Sequence, residues 1–201
     1  MSTATTTEIM SAGAWATNGA MFADIAKLGW FDGHVLDLSY GLGVFWNDFT
    51  PEHLVTNDID PEKGAHSEDA RRPPLTWYSR FDAVVWDPPF KMQGTPGEVM
   101  KGRYGIDEAR TGKDTMDLVL RGAVGAAECA RGGGRILVKC QNQICGGRYV
   151  DQVGRISQAM LRAGCKQGPI FYLVSSPRPQ PSDRRQVNPR NNVSQLVTFI
   201  R

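Results

Sequence analysis

Short apolar runs alternate along the chain with longer segments in which apolar residues recur every three or four positions. Runs of the first kind are typical of buried strands, and they occupy residues 34–38, 54–56, 81–86, 135–140, 171–174 and 196–200. Segments of the second kind predict helices at residues 18–28, after Gly43 through Phe45 and Trp46, at residues 114–129 and at residues 149–163. Because strands alternate with helices, the pattern predicts an α/β fold with a doubly wound, mostly parallel sheet and helices on both faces.

The N-terminus and two long polar segments set the boundaries of the predicted domain. Residues 1–13 are small and polar, which predicts a mobile N-terminal arm, and residues 14–201 have the length of a single domain. Residues 91–113 and 175–192 are rich in polar residues, Gly, Pro and Arg, and are predicted to be loops. The second loop leaves no room for a crossover helix, so the final strand should pair antiparallel with the strand before it.

Composition and charge exclude several classes of protein. The chain has 201 residues, of which 41% are hydrophobic and 22% are charged, as is ordinary for a soluble globular domain. Its net charge of +2 is too small to indicate a nucleic-acid partner by itself. The four cysteines form no CxxC pair and have no His at zinc spacing, so we expect reduced thiols, a cytoplasmic location and no metal site. We also expect no membrane span and no secretory signal, because no apolar stretch is long enough.

The most informative stretch is the strand predicted at residues 81–86 and the sequence Asp87-Pro88-Pro89-Phe90 that follows it. Neither proline can continue a ladder of backbone hydrogen bonds, and each restricts the residue before it, so the strand should end in a rigid corner. Open α/β sheets bind ligands at this end of their strands. Asp87 and the Pro88 carbonyl can each accept an N–H of an amino group on a planar base, and Phe90 can stack on the base. The alternative is a structural corner, with Asp87 as a cap and Phe90 in the core.

A second set of residues follows the first two predicted strands. Asp37 ends the first strand, a loop with Gly41 and Gly43 comes next, and Asp58 ends the second strand about 20 residues later. Both acids should project at the same sheet edge, where glycines let a ligand approach the backbone and an acid can bind ribose hydroxyls. The loop is not a G-x-G-x-x-G or P-loop motif, and Asp37 would repel a phosphate. The pattern therefore favours a nucleoside with a cationic or zwitterionic tail, although each feature alone is more often structural.

Together these motifs resemble those of class I S-adenosylmethionine-dependent methyltransferases. Within them the chain is most similar to the small bacterial and phage amino-methyltransferases that act on adenine N6 or cytosine N4, whose catalytic motif is D/N/S-P-P-Y/F/W. The resemblance covers residues 15–201 and implies a seven-stranded sheet, S-adenosylmethionine as cofactor, and Asp87, Pro88, Pro89 and Phe90 as the catalytic residues. The cofactor-binding residues that it implies are Asp37, Ser39, Tyr40, Gly41, Gly43, Asp58, Asp69 and Ala70.

The chain departs from that family because it has no room for a separate target-recognition domain. The interval from Gly43 to Asp87 is short, and nearly everything after Phe90 is needed to complete the sheet. The two predicted loops are the candidates to bind nucleic acid instead, through Lys91, Arg103, Tyr104, Arg178, Arg184, Arg185 and Arg190. The alternatives are a lid over the cofactor for the first loop and a solvated hairpin tip for the second. A recognition partner or a homodimer is a further way to supply the missing domain.

These observations predict an S-adenosylmethionine-dependent methyltransferase that acts on the exocyclic amino group of a DNA base, with adenine N6 favoured over cytosine N4. Asp87 is expected to accept an N–H and to position the amine for direct methyl transfer, so that the protein contributes mainly proximity and orientation. One alternative is an RNA methyltransferase for guanine N2 or adenine N6, which the missing recognition domain suits. Another is a non-catalytic nucleic-acid-binding module on the same fold.

Overall fold

The structure is a computed structural model that describes residues 13–92, 112–175 and 191–201. Nearly all of the N-terminal arm predicted at residues 1–13 lies outside the described residues. The strands of the described residues are β1 Ala14–Trp15, β2 His34–Asp37, β3 His53–Thr56, β4 Phe81–Trp86, β5 Ala130–Cys140, β6 Gln143–Cys145, β7 Arg148–Val150, β8 Lys166–Val174 and β9 Val193–Ile200. The helices are α1 Asn18–Ala26, α2 Gly112–Cys129 and α3 Gln152–Arg162, with a 3-10 turn at Leu75–Trp77.

Seven of these strands form one sheet in the order β1-β8-β9-β5-β4-β2-β3. Strand β9 is antiparallel to both of its neighbours, β5 and β8, and every other pair in the sheet is parallel. The predicted α/β class, the mostly parallel seven-stranded sheet and the antiparallel final strand are therefore confirmed. Strands β6 and β7 form a separate antiparallel hairpin after the carboxyl end of β5.

Two hydrophobic cores cover the two faces of the sheet. Successive residues of a strand point to opposite faces, so Val84 and Trp86 of β4 pack in the core that contains α2 and α3. Ala83 and Val85 pack in the other core, which contains Met21, Phe22 and Ile25 of α1. Because β4 is buried on both faces, its sequence is an almost continuous apolar run, as expected for a central parallel strand.

The segment after β2 forms turns where the sequence predicted a helix through Phe45 and Trp46. Gly41 and Gly43, which precede the predicted helix, have positive φ angles of 56° and 67°, which glycine adopts readily in turns. The N–H of Gly43 donates to the Tyr40 carbonyl at 2.8 Å, and the N–H of Trp46 donates to the Gly43 carbonyl at 2.9 Å, so consecutive tight turns replace the helix.

Other predicted boundaries shift for local reasons. Helix α3 begins at Gln152 rather than Tyr149, because the Asp151 carboxylate caps it by accepting from the N–H of Gly154 at 2.9 Å. Thr17 rather than Asn18 caps α1. Strand β5 already begins at Ala130, before the predicted start at residue 135, and it includes Gly132, Gly133 and Gly134. Strand β1 was not predicted, because two residues carry no periodicity.

Candidate active site

Asp87 lies directly after β4 at the carboxyl edge of the sheet. Its backbone N–H donates to the Ser39 hydroxyl at 2.7 Å, so the corner is tied to the loop after β2. Its side chain is 12% exposed, and Oδ2 accepts a hydrogen bond from Lys139 Nζ at 3.3 Å. Oδ1 is buried and has no hydrogen-bond partner among the described residues. Such an atom costs folding free energy unless a ligand or water satisfies it.

Two features of the surroundings of Asp87 shift the pKa of its carboxyl group in opposite directions. Burial raises the pKa of its carboxyl group above the ordinary value, while the charge and the hydrogen bond of Lys139 act to lower it. The Lys139 ammonium lies near the end of β5, only 10% exposed, and also 5.1 Å from the centroid of the Phe45 ring. Lys139 therefore keeps a negative charge tolerable in a site that otherwise disfavours it.

Asp37 is fully buried beneath the glycine loop rather than in the wall of the cleft. Its Oδ1 accepts from the N–H of Ser39 at 3.0 Å, and its Oδ2 accepts from Trp46 Nε1 at 2.8 Å. Burial, with smaller contributions from the charges of Asp87 and Asp58, raises the pKa of Asp37 from 3.8 to about 7, against the lowering effect of these two hydrogen bonds. Asp37 thus stabilises the glycine loop through two buried hydrogen bonds and does not face the cleft.

Asp58 organises the front of the same loop. Its Oδ2 accepts from the N–H of Gly41 at 2.9 Å, and its Oδ1 accepts from the N–H of Asp60 at 3.0 Å. A carboxylate oxygen can accept more than one hydrogen bond, so both oxygens retain capacity for ligand hydroxyls. Position 43 favours glycine for two reasons. Its φ angle is positive, and a Cβ there would lie 2.7 Å from the Tyr40 hydroxyl.

Asp69 and Ala70 line another part of the cleft. Both Asp69 carboxylate oxygens accept hydrogen bonds from the Arg71 guanidinium, at 2.7 to 3.1 Å, and Arg71 lowers the pKa of Asp69. The Asn57 side chain fixes this segment, because it donates to the Glu68 carbonyl at 3.0 Å and accepts from the Glu68 N–H at 2.8 Å. A ligand that used the Asp69 carboxylate would have to share it with Arg71.

These elements enclose a cleft of about 610 Å³, which is within the range of small-molecule sites. The predicted residues that line it are Ser39, Tyr40, Gly41, Asp58, Asp69, Ala70, Asp87 and Pro89. Asp37, Gly43, Pro88 and Phe90 are not among the lining residues, and Phe90 packs against the core that contains α2. Exposed apolar side chains of Leu42 and Ile59 also line the cleft, and they offer surfaces that a planar ring could cover.

Comparison with solved structures relates this architecture to methyltransferases. The N-methyltransferase NodS from Bradyrhizobium japonicum WM9, in complex with S-adenosyl-L-homocysteine, matches with a TM-score of 0.54 at 11% identity, over 90% of this chain and 85% of that one. A SAM-dependent methyltransferase from Archaeoglobus fulgidus matches with a TM-score of 0.52 at 9% identity, over 92% and 95%. The chain has the class I methyltransferase fold. Neither a scan of protein-family models nor a search of curated proteins gives a match.

Among the residues of the cleft region that were not assigned to the site from the sequence, Asn18 and Lys139 carry the polar groups that matter most for its chemistry. Asn18 lines the cleft, and its Oδ1 is buried without a hydrogen-bond partner among the described residues. No local pattern distinguished it from a helix cap. Lys139 could have been found, because a lysine within a buried apolar strand needs a charged partner.

Of the predicted nucleic-acid contacts, only Lys91 is described, as an exposed residue four positions after Asp87. Arg103, Tyr104, Arg178, Arg184, Arg185 and Arg190 lie outside the described residues. Among the described residues there is no cluster of three His, Cys, Asp or Glu side chains that could hold a metal ion. No helix in the same part of the chain is long and apolar enough to cross a membrane.

Proposed function

We propose that the protein is an S-adenosylmethionine-dependent methyltransferase that acts on the exocyclic amino group of a nucleobase, with adenine N6 in DNA favoured over cytosine N4. One observation carries the proposal. Within the described ranges, two buried side-chain oxygens lack a hydrogen-bond partner, Asn18 Oδ1 and Asp87 Oδ1, and both residues line the same cleft. A cleft with unfilled acceptors suits a ligand and a substrate that carry N–H donors.

The cleft also fits the cofactor. Asp58 has acceptor capacity for ribose hydroxyls, and the backbone of the Gly41 turn allows close approach of a ligand. Leu42 and Ile59 supply apolar surfaces for the adenine ring beside Ala70, and Asn18 Oδ1 supplies an acceptor for the ammonium group. When it is bound, the cofactor supplies a methyl group activated by a sulfonium.

The residues of the corner would position the amine. Asp87 Oδ1 accepts one amine N–H, and the Pro88 carbonyl is the predicted second acceptor, so that the nitrogen lone pair points away from both. Lys139 stays on Oδ2 and preserves the carboxylate. Once the nitrogen gains a fourth bond it becomes strongly acidic, and Asp87 Oδ1 takes its proton. Burial raises the pKa of Asp87, which makes this carboxylate a better base than an exposed one.

The test is nucleoside mass spectrometry after incubation with S-adenosylmethionine and, separately, unmethylated genomic DNA and bulk RNA. We expect N6-methyldeoxyadenosine from wild type. Asp87→Ala should lower the rate by about two to three orders of magnitude, as removal of one preorganised group does in other enzymes. Asp87→Asn is the matched variant, and it should retain more activity because its amide oxygen still accepts an N–H. Thermal shift with the cofactor checks that both variants keep the cleft.

The outcomes separate the alternatives. Methylation confined to RNA would replace DNA by RNA as the substrate. Cofactor binding without methylation of either nucleic acid would contradict the nucleobase assignment. Absence of both cofactor binding and methylation would favour a non-catalytic module. Full activity of Asp87→Ala would show that the catalytic assignment of Asp87 is wrong.

A further inference from the structure

The β6–β7 hairpin is separate from the seven-stranded sheet and lies near the edge where Asp87 is placed. It follows the carboxyl end of β5, which is the parallel neighbour of β4. Its turn consists of Gly146 and Gly147, with φ angles of 58° and 73°. Positive φ at both central residues is the geometry of tight hairpin turns whose twist matches that of the strands. The hairpin is therefore a well-formed local structure rather than an irregular loop.

Side-chain amides fix this hairpin to the catalytic corner. Gln143 Nε2 donates to the Phe90 carbonyl at 2.9 Å, and Gln143 Oε1 accepts from the N–H of Met92 at 3.1 Å. Gln152 Nε2, from the start of α3, donates to the same Phe90 carbonyl at 2.7 Å, and Gln152 is fully buried. Whatever binds the hairpin is thus held at a fixed position relative to Asp87, three residues before Phe90.

A second cavity of about 520 Å³ lies between the hairpin and the first turns of α2 and α3. We call it the hairpin cleft and define it by Lys113, Asp117, Arg148, Tyr149 and Arg155. The three cations are exposed, and none of them forms an ion pair with another described residue. Asp117 already pairs with Arg121, at 3.6 Å, outside the cleft. The cleft therefore carries an excess of positive charge, with three cationic side chains and one carboxylate among the residues that line it.

An exposed aromatic ring accompanies these charges. Tyr149 lies opposite Ile144 in the hairpin. Tyr149 is 65% exposed, although burial of so large a ring is normally favourable. Helix α2 separates this cleft from the active-site cleft: Asp114 and Leu118 line the active site, while Lys113 and Met116 line the hairpin cleft. An extended ligand that crosses the start of α2 would therefore contact both clefts.

We propose that the hairpin cleft binds the nucleic-acid strand that carries the target base. Arg148 and Arg155 bind phosphates of that strand, and Tyr149 stacks on an unpaired base beside the target. Grooves for single strands combine a basic surface with aromatic stacking platforms in this way. The inference rests on the proposed function, and it assigns target binding to residues of the hairpin and of the adjacent helices α2 and α3.

The experiment measures the Kd of labelled 12-residue single-stranded DNA and RNA oligonucleotides by fluorescence anisotropy over a series of salt concentrations. The double variant R148Q/R155Q should weaken binding and reduce the magnitude of the slope of log K against log salt by about 1.4, since each contact to a single strand contributes about 0.7. R162Q is the matched control, because Arg162 is exposed on the same helix but lies outside the cleft. It should leave the slope unchanged.

A second pair of variants tests the stacking contact. Y149A should raise Kd between about 5-fold and about 150-fold at low salt, the range expected when one base loses its aromatic partner, whereas Y149F should bind like wild type. Far-UV circular dichroism and thermal shift with S-adenosylmethionine show whether each variant keeps its fold and its cofactor site.

The proposal is overturned if R148Q/R155Q has the slope of wild type, or if Y149A and Y149F bind equally well. Either result leaves the proposed function intact, because cofactor binding and methyl transfer are measured separately. Binding of polyglutamate as tight as that of oligonucleotides would assign the cleft to an acidic protein and would also overturn it. A difference between the DNA and RNA arms identifies which strand the cleft accepts.

Discussion

Replacing Asp37 with asparagine should change how the stability of the protein depends on pH. The Asp37 carboxyl group is fully buried, and burial raises its pKa from 3.8 to about 7. In the unfolded chain the group returns to its ordinary pKa, so between these two values the folded state binds a proton that the unfolded state has released. The free energy of unfolding must therefore decrease as pH rises through this range.

The magnitude follows from the size of the difference in pKa. A rise from 3.8 to about 7 corresponds to about 4 kcal/mol, present as stability below pH 4 and lost once pH exceeds 7. About 3 kcal/mol of this loss falls between pH 4.5 and pH 8.5. Asparagine has no such titration. It offers one acceptor oxygen to two donors, the Ser39 N–H and Trp46 Nε1, which costs about 1–3 kcal/mol at every pH.

The assay is urea unfolding of wild type and Asp37→Asn at pH values from 4.5 to 8.5, followed by far-UV circular dichroism. Other titrating groups are common to both proteins, so the difference between the two unfolding free energies isolates Asp37. We expect that difference to change by about 3 kcal/mol across the range, or roughly 6–12 °C in Tm, in favour of the variant at high pH. If the unfolding free energies of the two proteins changed with pH in parallel, the argument that burial raises the pKa of Asp37 would be refuted.

Two further predictions concern the Asp87–Lys139 ion pair and the packing beneath the cleft. Lys139→Met removes the charge that opposes the effect of burial on Asp87, so the pKa of Asp87 should rise. The acid limb of the pH–rate profile of methyl transfer should then move to higher pH. An unchanged acid limb would mean that Lys139 does not lower the pKa of Asp87. Gly125→Ala should lower the free energy of unfolding by about 1–3 kcal/mol, because a methyl group there would overlap the carbonyl oxygen of Ala70. Gly132→Ala, which meets no atom within 4 Å, is the control and should change stability by less than about 0.5 kcal/mol in the same urea titrations.

The sequence was sufficient to predict the elements whose signals are local. Strand β4 was predicted with its observed bounds, because an apolar run meets two prolines immediately after Asp87. The helix predicted through Phe45 and Trp46 was wrong for the opposite reason. Its apolar spacing is typical of a helix. The conformation of the segment is instead set by the turns at Gly41 and Gly43 and by the hydrogen bond from the Trp46 indole to Asp37, nine residues away.

Contacts between distant parts of the chain account for what the sequence did not reveal about the site. Asp87 and Lys139 are 52 residues apart and meet only because β4 and β5 are parallel neighbours. Asn18 reaches the cleft through the position of α1, which no periodicity specifies. The hairpin at residues 143–150 was hidden because Tyr149 and Val150 also fit the apolar spacing of the helix that follows.

The position of β9 has a consequence for the synthesis of the protein. β9 follows β5 and β8 in the chain but lies between them in the sheet, and it pairs with both along most of its length. As the chain leaves the ribosome, β5 and β8 must each wait with an exposed edge until β9 arrives, and such edges are sites of intermolecular pairing. Long-range pairing of this kind also slows folding. We therefore expect the nascent chain to exist as two separate sheet fragments, and to depend on protection from aggregation until the residues of β9 join them.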